Sequence, residues 1–153
     1  MRTNFSDLDI RFTIGDTRFQ ALNIIYERFL RTVPSHSHGS GSYEIHYIPR
    51  GYGRARINGR FYDIVPGTLV EHAQTPHLED PMCEYCIYLK TEKKRRSQPS
   101  AGPQPDGRER ALSLFEGTTF WFGQDTQNVA FLMEELFSEL ENRYTGFQLQ
   151  VEL

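Results

Sequence analysis

The dipeptide Asn58-Gly59 places the strongest local constraint on how this chain folds. It stands between Arg54-Ala55-Arg56-Ile57 and Arg60-Phe61-Tyr62-Asp63-Ile64-Val65. A two-residue hairpin loop of type I′ needs positive φ at both central residues, and Asn followed by Gly meets that need at little steric cost. The segment therefore reads as a β-hairpin. Further turn signals flank it, at Gly15-Asp16 and Pro66-Gly67.

Around the hairpin the pattern stays β. Ile10-Arg11-Phe12-Thr13-Ile14 and Tyr43-Glu44-Ile45-His46-Tyr47-Ile48 alternate with period two, the signature of half-buried strands. Residues 22–33 are rich in Ile, Leu, Phe, Tyr and Val and stop at Pro34; residues 68–71 and 83–90 read as two more strands. About seven short strands separated by turns predict a barrel or sandwich. Residues 97–108 carry three prolines and two glycines and read as a loop. The basic residues Lys90, Lys93, Lys94, Arg95 and Arg96 precede that loop and read as a solvated strand end.

The last part of the chain changes period. Residues 109–116 suit one short helix. After it Val129, Leu132, Met133, Leu136, Phe137, Leu140 and Tyr144 form one apolar stripe at helical spacing, with Asp125 placed to cap the helix and Gly146 to end it. The expected division is a β region over 1–108 and a helical region over 109–153 of the same domain. The run Phe147–Leu153 has no closing signal and reads as an element that continues into a longer protein.

Composition narrows the class. The chain has 153 residues, enough for one ordinary domain, and its 11 Phe and 8 Tyr argue against disorder. It has no run of 18 apolar residues, no signal-peptide core and only two cysteines, so a cytoplasmic protein without a membrane span or disulfide framework is expected. A net charge of −3 gives no footprint for gripping nucleic acid. Cys83-Glu84-Tyr85-Cys86 has C-x-x-C spacing, but residues three apart on a strand face opposite sides, so Cys86 reads as a small core residue. No nucleophile motif or phosphate-binding loop is present.

Five histidines carry most of the functional information: His36, His38, His46, His72 and His77. In an extended chain His36 and His38 project to one side. Two imidazoles, a carboxylate and a distant third His form a donor set for a first-row divalent metal. On strand alternation alone, Tyr43, Ile45 and Tyr47 would face the core and leave Glu44 and His46 solvated.

The order His36-Ser37-His38, Glu44, six residues, Gly51 resembles the first motif of the cupin superfamily, with an insertion at Gly39-Ser40-Gly41-Ser42. Gly67 matches part of the second motif, whose Pro-x-Gly turn is missing here. Pro34-Ser35-His36-Ser37-His38, Tyr43–Ile48, Tyr62–Gly67, Asp80–Cys86 and the helical tail from Phe120 resemble the N-terminal sensor domain of AraC-type transcription regulators over residues 20–153.

The resemblance implies a mainly β fold, a cupin-like β-barrel (double-stranded β-helix) followed by C-terminal α-helices. It implies a sensor that binds a small effector, often a sugar, and pairs into a homodimer, with DNA contacted only through a separate C-terminal domain. The implied ligand-binding residues are His36, His38, Glu44, His46, His72 and His77. A divalent Zn, Ni, Mn or Fe ion, if bound, would use His36, His38, Glu44 and His72. Leu132, Leu136, Phe137 and Leu140 are the candidate dimer contacts. The function expected is effector sensing rather than catalysis. A metal-dependent cupin enzyme (oxygenase or isomerase) and a free-standing carbohydrate-binding module are the competing readings.

Overall fold

The computed structural model describes residues 2–14, 17–33, 39, 41–70, 73–92, 113, 117–118, 120–143, 145–147 and 149. Among these residues nine strands and one helix are defined, in order: β1 (Arg2–Ile14), β2 (Thr17–Arg28), β3 (Ser42–Arg50), β4 (Gly53–Ile57), β5 (Arg60–Ile64), β6 (Thr68–Val70), β7 (Ala73–Pro76), β8 (Cys83–Glu92), β9 (Phe122–Gln124) and α1 (Val129–Asn142). They make a six-stranded sheet, β1-β2-β8-β3-β6-β9, and a three-stranded sheet, β5-β4-β7. Every pairing between these strands is antiparallel.

The Asn58-Gly59 hairpin forms as its sequence dictates. Asn58 and Gly59 have φ of 49° and 80°, and Ile57 pairs with Arg60 across the turn. Strands β1, β3, β5, β6 and β8 also lie where the sequence predicts strands, though β1 begins earlier; β2 spans Thr17–Arg28, ahead of the apolar run at 22–33. Strands β7 and β9 carry too few residues for a period to register, and only pairing with β4 and β6 defines them. Because β9 joins the six-stranded sheet beside β6, the stretch leading to the helix is built into that sheet.

The large sheet is buried on both faces. One face packs against α1: Leu8, Ile10, Phe19, Ala21, Ile24 and Leu89 form a core with Phe137 and Leu140, and Tyr43, Ile45, Tyr85 and Ile87 pack against it. The opposite face meets the small sheet, where Ile48 and Val70 join Ala55, Ile57, Ile64 and Met82. Each fully buried side chain of this size stabilises the fold by about 1.5–3 kcal/mol. This double burial is why both sides of β3 carry structural or chemical work.

Helix α1 begins at Val129, where the apolar stripe starts. Asp125 serves its start: its carboxylate accepts the backbone N–H groups of Gln127 at 2.9 Å and Ala130 at 3.3 Å, and the Tyr47 hydroxyl at 3.3 Å. Backbone N–H bonds, foremost from Val129, hold its carboxyl below the usual carboxylate range. The helix ends at Arg143, whose φ of 49° lets its N–H reach Glu139 O, so the left-handed cap falls there and not at Gly146.

Candidate functional site

Strand β3 turns Tyr43, Ile45 and Tyr47 toward α1 and Glu44, His46 and Ile48 toward the small sheet. Pattern alone would have left Glu44 and His46 in solvent; a second layer covers them instead. Strand β8 runs antiparallel beside β3, with His46 opposite Cys86. The same alternation turns Glu84 and Cys86 inward with His46. Glu44, His46, Glu84 and Cys86 thus meet at one place on the inner face.

His46 sits between two carboxylates. Its Nε2 donates to Glu44 Oε2 at 3.0 Å. Its Nδ1 lies 2.8 Å from Glu84 Oε1, close enough for an ion pair but off the line that a hydrogen bond needs. Glu84 is 2% exposed, and its Oε2 has no hydrogen-bond partner among the described residues. Gln74 Oε1, on β7 of the facing sheet, is likewise buried without one among those residues.

These contacts set the charge of the site. Burial pushes the His46 pKa down, but the Glu84 charge, the neighbouring Cys86 thiol and the hydrogen bond to Glu44 outweigh it, and the imidazole titrates well above its usual range. Burial pushes the Cys86 thiol up, against the smaller opposing effect of His46, so it stays protonated at neutral pH. Donor atoms of Glu44, His46 and Cys86 all lie within 4.8 Å of one another. The cluster therefore offers an imidazolium and several acceptor oxygens in a covered setting, where each is electrostatically strong.

Of the residues singled out in the sequence, Glu44 and His46 are brought together here. His36, His38 and His72 lie outside the described residues, as do the basic residues 93–96. His77 stands apart: it is exposed, accepts the Asp80 backbone N–H at 3.4 Å, and lines a cleft of about 640 Å³ with Tyr52, Arg54 and Asp63, whose walls include neither Glu44 nor His46. Glu84 was not singled out. The signal that could have found it is its period-two register with Cys86. Cys86 itself is more than a packing residue, because its thiol stands beside His46 and Glu44.

The dimer candidates divide as well. Phe137 and Leu140, expected at a two-fold interface, are 7% and 1% exposed and pack in the chain's own core. Leu136 packs partly against the same core. Leu132 is 62% exposed and Phe131 beside it 52%, so these two carry the free apolar surface of α1.

A layered β architecture with a buried polar cluster on an inner face and a helix against the outer one defines the class: a two-sheet, mainly β domain with a covered polar site. The family comparison agrees, since the model described as the AraC-like ligand binding domain matches residues 26–153. This chain belongs to the AraC-like ligand-binding domain family. Among solved structures it is similar to the YhaK protein of Escherichia coli, with 12% identity, 64% of this chain and 48% of that one covered, and a TM-score of 0.45. It is also similar to a cupin protein from Bacteroides fragilis, with 20% identity, 69% and 89% covered, and a TM-score of 0.36. The chain thus spans about half the length of YhaK. No curated protein matches it significantly. No helix among the described residues is long and apolar enough to cross a membrane.

Proposed function

We propose that this chain is the effector-sensing and dimerisation domain of an AraC-type transcription regulator of the cytoplasm, acting by binding rather than by catalysis. The effector is a small polyhydroxylated molecule, a sugar by class, held beside Glu44, His46 and Glu84 between the two sheets. A homodimer would fix the spacing at which the regulator's DNA-binding domains meet paired half-sites. The observation that carries the reading is the buried polar cluster within a chain of the AraC-like ligand-binding family. Glu84 Oε2 and Gln74 Oε1 are acceptors without partners among the described residues, and hydroxyl donors would complement them. A carboxylate effector would meet two carboxylates there.

Calorimetric titration against neutral sugars, sugar acids and amines tests this. A neutral sugar is expected to bind, and Glu44→Gln or Glu84→Gln to weaken it about 10–100-fold, the equivalent of one hydrogen bond to a charged group at about 1.5–3 kcal/mol. Circular dichroism checks that each variant folds. Preference for a sugar acid over its neutral parent would contradict the assignment.

The pairing surface follows from what α1 leaves uncovered. Leu132→Glu places a charge where the side chain is exposed in one chain, so folding should be retained while a dimer through α1 is lost. Light scattering should then report a monomer with an unchanged helical signal. A variant that stays dimeric would move the interface elsewhere.

A further inference from the structure

The Glu44–His46–Cys86 cluster has a chemistry that effector hydroxyls do not use. Cys86 is buried, free of any disulfide, and turned to the same face as His46 and Glu44. A carboxylate oxygen, an imidazole nitrogen and a thiol sulfur within 4.8 Å of one another are a mixed donor set suited to a borderline divalent ion. Glu84 adds a second observation that points the same way. This carboxylate is 2% exposed, has one oxygen 2.8 Å from His46 Nδ1, and has the other without a partner among the described residues. A buried carboxylate set against the far ring nitrogen is the partner that commonly orients a metal-bound histidine.

We infer that Glu44, His46 and Cys86 form a first-row transition-metal site of the Zn²⁺ class, with Glu84 orienting His46 from behind. His46 would bind through Nε2, which now shares a proton with Glu44, while Glu84 fixes the ring through Nδ1 as carboxylates commonly do for metal-bound histidines. Tetrahedral zinc with N and O ligands near 2.0–2.1 Å and sulfur near 2.3 Å separates its donors by roughly 3.3–3.6 Å. The three donor atoms lie within 4.8 Å of one another, so side-chain adjustment of about an ångström brings them to that spacing. The ion replaces the Cys86 thiol proton and the His46 proton, so two protons leave for two charges gained. This set shares only Glu44 with the His36, His38, Glu44 and His72 set that family resemblance implies. It shares Glu44 and His46 with the effector reading, which is tested on metal-free protein.

Co²⁺ is the probe, because a thiolate ligand gives Co²⁺ an intense charge-transfer absorption that nitrogen and oxygen donors do not. Chelator-treated protein without a His-tag should bind one Co²⁺ with that absorption, and Zn²⁺ should displace it. Cys86→Ala should abolish the absorption and weaken binding at least tenfold, and His46→Gln should weaken it similarly. Circular dichroism confirms that both variants remain folded. The double variant His36→Ala/His38→Ala should keep the absorption. Absence of the thiolate absorption, or binding that survives Cys86→Ala and disappears in the double histidine variant, would overturn the site. Sugar titration of the same chelator-treated protein reads the effector proposal separately.

Discussion

His46→Leu is expected to destabilise the metal-free protein by about 3–5 kcal/mol at neutral pH, because it strips the counter-charge from two covered carboxylates. Glu84 cannot regain water without opening the interface between the sheets, and Glu44 faces the same layer. The loss is that of an uncompensated buried charge rather than of one contact. Adding Glu84→Leu to His46→Leu should therefore recover at least about 2 kcal/mol, since replacing both partners of a buried pair by apolar groups is often close to neutral. Denaturant unfolding monitored by far-ultraviolet circular dichroism measures both. A double variant less stable than the single one would show that Glu84 is held by something other than His46.

The same histidine makes stability depend on pH in a defined direction. Its folded pKa lies well above the usual 6.5. A group whose pKa is raised on folding stabilises the native state fully below its unfolded pKa, and the contribution is lost as pH rises through the folded value. Wild-type stability should thus carry a decline that starts near pH 6.5 and continues upward, and His46→Leu should lack that component.

Gly51→Val should cost about 2–6 kcal/mol, combining left-handed backbone strain of about 1–3 kcal/mol with overpacking of similar size. Gly51 has φ of 78° where the chain leaves β3 for β4, and a Cβ there would stand 2.5 Å from Pro81 O and 2.6 Å from Met82 Cα. Those are backbone atoms, and they cannot swing aside. Tyr52 N–H donates to Asp80 O at 3.0 Å, and Tyr52 O accepts from His77 and Met82 N–H at 2.9 and 3.2 Å, which fixes the two segments against each other. Gly59 supplies the control, because its φ is 80° and nothing lies within 4 Å of its Cβ position. Gly59→Val should show the backbone strain alone. Equal losses at the two positions in urea unfolding would mean that the close approach at Pro81 carries no cost.

Local rules made several features of this protein legible in its residues. Asn58-Gly59 forces its turn because few other dipeptides tolerate positive φ twice. The period-two runs of β3 and the stripe from Val129 to Leu140 fix element type, since the side-chain spacing of a strand and of a helix is set by backbone geometry. Asp125 was readable as a cap for the same reason: its carboxylate acts over only a few residues. The Glu44 motif and Gly51 were visible through the spacing that resembles a cupin, and Gly51 proves to be the point where β3 and the Pro81 segment touch.

The tertiary structure decided the rest. Which side of β3 is chemical could not be read from its alternation, because both faces are covered, one by α1 and one by the small sheet. Glu84 and Cys86 became partners of His46 only through the register of β8 against β3, a pairing some 40 residues apart in sequence that no local pattern encodes. Strands β7 and β9, of four and three residues, exist only because neighbouring strands hold them. Phe137 and Leu140 look the same in sequence whether they meet a second copy or their own sheet. An apolar stripe records only that it must be covered; the position of the nearest apolar face, here the chain's own sheet, selects what covers it.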